Sequence, residues 1–156
     1  MGVAVTLKFT GQEQLRKALE KFGEEFRKEI QTHNRIIAES VRTAAIKRIQ
    51  RGPATGRVYE KYKPRRSHQA SAPGQPPMSD TGTLASSVAV ADVPGRSEVR
   101  VGTPLDYGRA LELGTKNIRP RPWLNPSLEE ARRPYEAGLK PIFDRAAKKS
   151  AAKKLR

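Results

Sequence analysis

At 156 residues and a formal net charge of +15, from 31 basic against 16 acidic residues, the chain has the length of a single domain (1–156) and an excess of cations that suits a polyanion or an acidic protein surface. With 36% hydrophobic and 6% aromatic residues it can bury only a modest core carrying polar appendages. The absence of cysteine excludes disulfides and thiolate chemistry, and no apolar run approaches the roughly 18–20 residues that cross a bilayer, so the chain reads as soluble with no membrane partner.

In chain order, Val3, Val5, Leu7 and Phe9 alternate with Ala4, Thr6 and Lys8 before Thr10-Gly11, which predicts a half-buried strand closed by a turn. The same residues lack the basic-then-apolar pattern of a signal peptide, and Gly2 with Thr6 reads better as strand than as a myristoylation signal. From Gln12 the period changes. Leu15, Leu19, Phe22, Phe26 and Ile30 recur every three or four residues, and Ile37, Val41, Ala45 and Ile49 continue the series. This predicts one long amphipathic helix, with a weak spot near Asn34, and an outer face of interleaved Glu, Lys and Arg forming ion pairs.

Gly52-Pro53 ends that helix and opens a basic loop over 51–80, with five prolines and six basic residues. Val58, Tyr59 and Tyr62 mark a short strand or a sticky edge within it. Alternating apolar positions at Leu84, Val88 and Val90, and again at Val99 and Val101, predict an antiparallel hairpin around the turn Asp92-Val93-Pro94-Gly95-Arg96. Tyr107 to Leu113 has room for one or two helical turns closed by Gly114 at positive φ. Asn125-Pro126 is a helix opening, with Asn as cap and Glu129 and Glu130 in the first turn, and Pro134 and Pro141 should kink or split the helix. The last segment, 145–156, is an alanine-rich cationic tail. Together these elements predict an α+β fold: a small antiparallel sheet packed against a long N-terminal amphipathic helix, with a kinked C-terminal helix.

Enzyme chemistry finds little purchase. His33 and His68 are the only imidazoles, neighbouring Ser67-His68 side chains do not make a triad, and Gly52 to Gly56 lacks the Gly-Lys-Ser/Thr of a phosphate loop. No cysteine, helical His pair or calcium-loop acid spacing is present, so neither a metal nor another cofactor is expected. Lys61, Lys63, Arg65 and Arg66 interleave with Tyr59 and Tyr62 as on single-strand-binding surfaces, though an exposed loop also carries such charge simply to solvate itself. Lys148, Lys149, Lys153 and Lys154 form either a nucleic-acid-facing tail or a solubilising helix end. No nucleic-acid recognition motif accompanies either patch, so any contact should be blind to sequence. Glu112, between two leucines and close to Arg109, Arg119 and Arg121, forms an ion pair or accepts backbone hydrogen bonds, within the subunit or across an interface. Trp123 is a core anchor or an interface hot spot.

As an ordered set, Thr81-Gly82 with Leu84 and Ser87-Val88, Val99-Arg100-Val101-Gly102, Tyr107 with Glu112-Gly114-Thr115, and Pro122-Trp123-Leu124 with Pro126 resemble the tail-completion (neck, head–tail joining) proteins of long-tailed bacteriophages. The likeness is well developed over 81–127 and loose elsewhere; Trp123 stands where a Phe is more usual, and the 51–80 loop is long. The resemblance implies a non-enzymatic virion protein of the neck or tail, assembled from the host cytoplasm into a homohexameric ring between head-closure and tail-terminator proteins, with the DNA genome passing through its lumen. Tyr107, Leu111, Glu112 and Trp123 are the candidate interface residues, and Lys61, Lys63, Arg65, Arg66, Lys148, Lys149, Lys153 and Lys154 the candidate nucleic-acid- or lumen-facing ones. The alternative is a sequence-independent nucleic-acid-binding protein, which the charge and basic tails favour.

Overall fold

The structure is a computed structural model that describes residues 12–152. The alternating segment Val3 to Phe9 and the lysines Lys153 and Lys154 lie outside the described residues. Helix α1 runs unbroken over Gln12–Gln50, 39 residues or about 58 Å of helix. The weak spot read near Asn34 is intact, because its polar side chains find tertiary partners. Gln31 Nε2 donates to Asp92 Oδ1 at 2.9 Å, Asn34 Nδ2 donates to the Ser97 carbonyl at 2.6 Å, and His33 Nε2 donates to the Tyr135 carbonyl at 3.1 Å. A polar patch that would loosen an isolated helix serves here to dock other elements.

The 51–80 segment is built rather than left loose. Strands β1 (Val58–Tyr62) and β2 (Arg65–Gln69) pair antiparallel, with Val58 opposite Gln69 and Tyr62 opposite Arg65. The return to the body is tight: a Cβ on Gly52 would sit 2.5 Å from the Pro77 carbonyl oxygen, so only glycine admits that approach. Ser79 N–H donates to the Ile49 carbonyl at 3.0 Å, and Gly74 N–H donates to that of Pro120 at 2.8 Å.

The expected strand beginning at Leu84 is instead the short helix α2, Thr83–Ser87. Its buried residues, Leu84 and Ala85 with Val88 just beyond, recur at helical spacing, and they pack on Ala45 and Ile49 of α1. Ser86 and Ser87 hydroxyls turn back to the carbonyls of Thr83 and Leu84 at 3.0 and 2.8 Å, which supports the helical turn. The hairpin itself begins later, as β3 (Ala89–Asp92) and β4 (Val99–Gly102), with Val90 opposite Val101. Among the described residues the strands form two separate two-stranded sheets, and β3–β4 lies against α1.

Helix α3 (Asp106–Leu113) ends at Gly114, whose φ of 77° is the positive value expected there. Helix α4 (Asn125–Ala152) runs continuously through both Pro134 and Pro141, so the prolines do not split it. It packs along α1 in the opposite direction: Arg48 pairs with Glu130, His33 stacks on Tyr135 at 5.4 Å, and Phe22 meets Phe143 at 5.2 Å. The core gathers Ala45, Ile49, Leu84, Ala85, Val88 and Trp123, and buried Ala131, Ile142 and Ala146 continue it along α4. Segment 145–152 is thus the end of α4, with Ala146 fully buried and Arg145 and Lys149 both paired to Glu29. Toward the start of α1 the apolar stripe emerges, and Leu15 and Leu19 are 61% and 60% exposed among the described residues.

Candidate functional site

The pieces that carry the phage resemblance converge in space. The α2 helix, the α3 helix and the first turn of α4 surround one end of α1, with Trp123 between them, 1% exposed. Its indole Nε1 donates to the Gly108 carbonyl at 3.2 Å, and Gly108 is itself buried. Glu112 resolves in favour of backbone hydrogen bonds within the subunit. Its Oε2 accepts the N–H groups of Trp123 (2.7 Å) and Leu124 (2.8 Å), and its Oε1 accepts that of Asn125 (2.9 Å). The amides of Trp123 and Leu124 lead into α4 and that of Asn125 is its first, so a carboxylate there meets both their hydrogen-bonding need and the positive end of the helix. The cap expected from Asn125 is supplied through space by Glu112, and Glu129 and Glu130 lie just beyond the first turn.

Tyr107 and Leu111 line a shallow cavity of about 370 Å³ together with Asp80, Gly82 and Leu84. Tyr107 is 47% exposed, Leu111 is half-buried against the core, and Leu113 and Ile118 are exposed beyond them. Of the four candidate interface residues, Tyr107 and Leu111 therefore reach the surface, while Trp123 is enclosed and Glu112 is engaged with the α4 amides. A second, more apolar groove of about 460 Å³ runs between α1, β4 and α4, lined by Ile37, Val41, Val99, Val101, Leu128 and Tyr135.

The basic hairpin divides into two faces. Lys61, Arg66 and His68 point to one side and meet Asp80: Lys61 Nζ pairs with Oδ2, Arg66 Nη2 lies 3.0 Å from Oδ1, and His68 Nδ1 lies 3.8 Å from Oδ1. The Lys61 hydrogen bond, reinforced by the charges of Arg66, Lys61 and His68, holds the Asp80 carboxyl below its ordinary value of 3.8 against the opposing cost of desolvation. Lys63 and Arg65 lie at the exposed turn of the ribbon, with no ion-pair partner among the described residues. The four candidate cations thus split into two that tether the hairpin and two that face solvent. Sequence reasoning missed Asp80, although a signal existed: it is the only acid between Glu60 and Asp92. Of the C-terminal lysines, Lys148 is exposed and Lys149 pairs with Glu29.

Among the described residues no group of three His, Cys, Asp or Glu side chains is placed to hold a metal ion, and no helix is long and apolar enough to cross a membrane. His33 and His68, the two imidazoles, sit in separate structural contacts, one on Tyr135 and one beside Asp80. The family whose model matches the chain, over residues 12–114, is described as "HK97-gp10_like: Bacteriophage HK97-gp10, putative tail-component". No curated protein and no solved structure gives a significant match.

Proposed function

The chain belongs to the HK97-gp10-like family of bacteriophage tail-component proteins, and from that premise we propose that it is a non-enzymatic structural protein of the phage neck. It forms a homo-oligomeric ring, a hexamer, that completes the tail and joins it to the head. Head-closure and tail-terminator proteins are its neighbours, the genome passes through its lumen, and assembly begins in the host cytoplasm.

The observation that carries this reading is the convergence of α2, α3 and the start of α4 on Trp123, within a chain whose family match extends from α1 to Gly114. That arrangement supports an assembly role because it makes a rigid corner: the Glu112 carboxylate locks the α4 opening while Tyr107, Leu113 and Ile118 remain outside for a neighbour. Tyr107 and Leu111 are the interface residues in this reading, and Glu112 and Trp123 set their geometry from within the subunit. The exposed Leu15 and Leu19 of α1 offer a second apolar surface for a neighbour to cover.

Native mass spectrometry and negative-stain imaging of the purified protein, alone and with purified tails, test the proposal. A ring in solution, or one that forms on tail ends, is the expected result. A monomer that ignores tails would remove the neck assignment and leave only membership of the tail-component family.

A further inference from the structure

The β1–β2 hairpin is a two-stranded ribbon with five basic residues and one acid over Arg57 to Gln69. Its inner face is committed to Asp80. Its outer face, by strand alternation, carries Val58, Glu60 and Tyr62 opposite Gln69, Ser67 and Arg65, all exposed. Two strands alone are marginal in water, and this pair is held by the Asp80 tether and by backbone bonds at its base, between Gly56 and Ala70 and between Ala70 and Arg57. A tethered, solvent-facing cationic ribbon is built to project rather than to fill a core.

We propose that the tip of this ribbon, Tyr62-Lys63-Pro64-Arg65, is a sequence-blind contact for duplex DNA, with Lys63 and Arg65 on phosphates. Charge narrows the occupant to an anionic one, and two tip cations with no described ion pair, carried on a narrow projecting ribbon, favour a polyanion. Duplex is favoured over single strand by the aromatics. A stacking platform needs successive open rings on one face, but Tyr59 (46% exposed, with the Arg57 guanidinium 5.5 Å from its ring centroid) and Tyr62 (76% exposed) lie on opposite faces of the ribbon. A two-stranded ribbon also has the width that the major groove admits. Glu60, on the same face two residues before Tyr62, repels phosphate and confines the contact to the tip. Lys61 and Arg66 act as tethers, not as phosphate ligands. The inference draws on the neck reading only for the source of the DNA, since the binding itself belongs to the isolated subunit.

The test is fluorescence anisotropy of a mixed-sequence duplex against the full chain over a range of salt, for the wild type, Lys63→Gln/Arg65→Gln and Lys148→Gln. Neither tip residue has a described ion pair, so the double variant should keep the wild-type melting temperature. Loss of two phosphate contacts should reduce the slope of log K against log salt by about 1.8 and weaken low-salt binding by on the order of tenfold, with a smaller effect from Lys148→Gln. Equal effects per charge removed at both places would show diffuse attraction and overturn the proposal, as would an unchanged slope. So would preferential binding of single strand that Tyr62→Ala abolishes. Loss of tail attachment by the double variant with duplex binding intact would also overturn it, and would make the tip a protein contact. Native mass spectrometry of the same proteins separates the two proposals. Rings without tip-dependent DNA binding sink this one alone, and tip-dependent binding by a protein that never forms rings sinks the neck reading alone.

Discussion

The Glu112 carboxylate accepts the backbone N–H of Trp123 at 2.7 Å, so the acid of one helix sets where the next begins. The same carboxylate also takes the amides of Leu124 and Asn125. Replacing Glu112 with Ala would leave three amides without their acceptor, and should cost about 2 kcal/mol of unfolding free energy by loss of a charged cap. Glu112→Gln, which keeps one carbonyl acceptor, should lose less. Urea unfolding of the three proteins decides it, and a loss below about 0.5 kcal/mol for the Ala variant would show that water replaces the carboxylate.

Trp123 tests the core separately from the cap. Trp123→Ala should cost about 3–5 kcal/mol, because the ring is enclosed between α1, α2 and α3. Trp123→Phe keeps an aromatic and loses the Nε1 bond to Gly108, for a cost nearer 1 kcal/mol. Equal destabilisation by Phe and Ala in thermal melts would mean that the hydrogen bond, and not the packing, holds this corner.

Two helical glycines should respond in opposite directions to alanine. A Cβ on Gly138 would lie 2.7 Å from His33 Nε2, so Gly138→Ala must push the imidazole off Tyr135. Overpacking of about 1–3 kcal/mol should outweigh a helix-propensity gain of about 1 kcal/mol. Gly23, in α1, has nothing within 4 Å of such a Cβ, and Gly23→Ala should stabilise by about 0.5–1 kcal/mol. Chemical denaturation of both variants is the check; a stabilised Gly138→Ala protein would contradict the His33 contact.

Acid should loosen the basic ribbon and the end of α4. Asp80 is held below its ordinary 3.8 chiefly by the Lys61 hydrogen bond, and Glu29 below its ordinary 4.5 by Lys149 and then Arg145. A carboxylate depressed in the folded state contributes stability that is complete above its ordinary value and is lost as pH falls through the folded value. Urea midpoints should therefore fall with pH below these ordinary values. Asp80→Asn should lower the midpoint at neutral pH and flatten its decline in acid. A decline unchanged by that substitution would assign the acid sensitivity elsewhere.

The periodicities of the long helix, the β3–β4 hairpin and the turn at Gly114 were legible in the chain because each is a local pattern of spacing. So was the motif set around Trp123, since its members are ordered along the sequence. Leu84 to Val88 misled because a five-residue apolar pattern admits either period; packing on Ala45 and Ile49 selected the helix. The polar run Gln31 to Asn34 looked like a defect until its partners on β3, the following turn and α4 were in place.

By itself, then, the sequence determined the α+β class, the cationic character and the ordered motifs that place the chain in its phage family, all of them properties of composition and short-range spacing. Only the tertiary structure decided that Glu112 caps α4 and that Asp80 divides the hairpin cations into two tethers and two at the exposed turn. Those assignments depend on which backbone amides and side chains meet across many residues of chain, and a carboxylate satisfies whichever donors the packing brings to it.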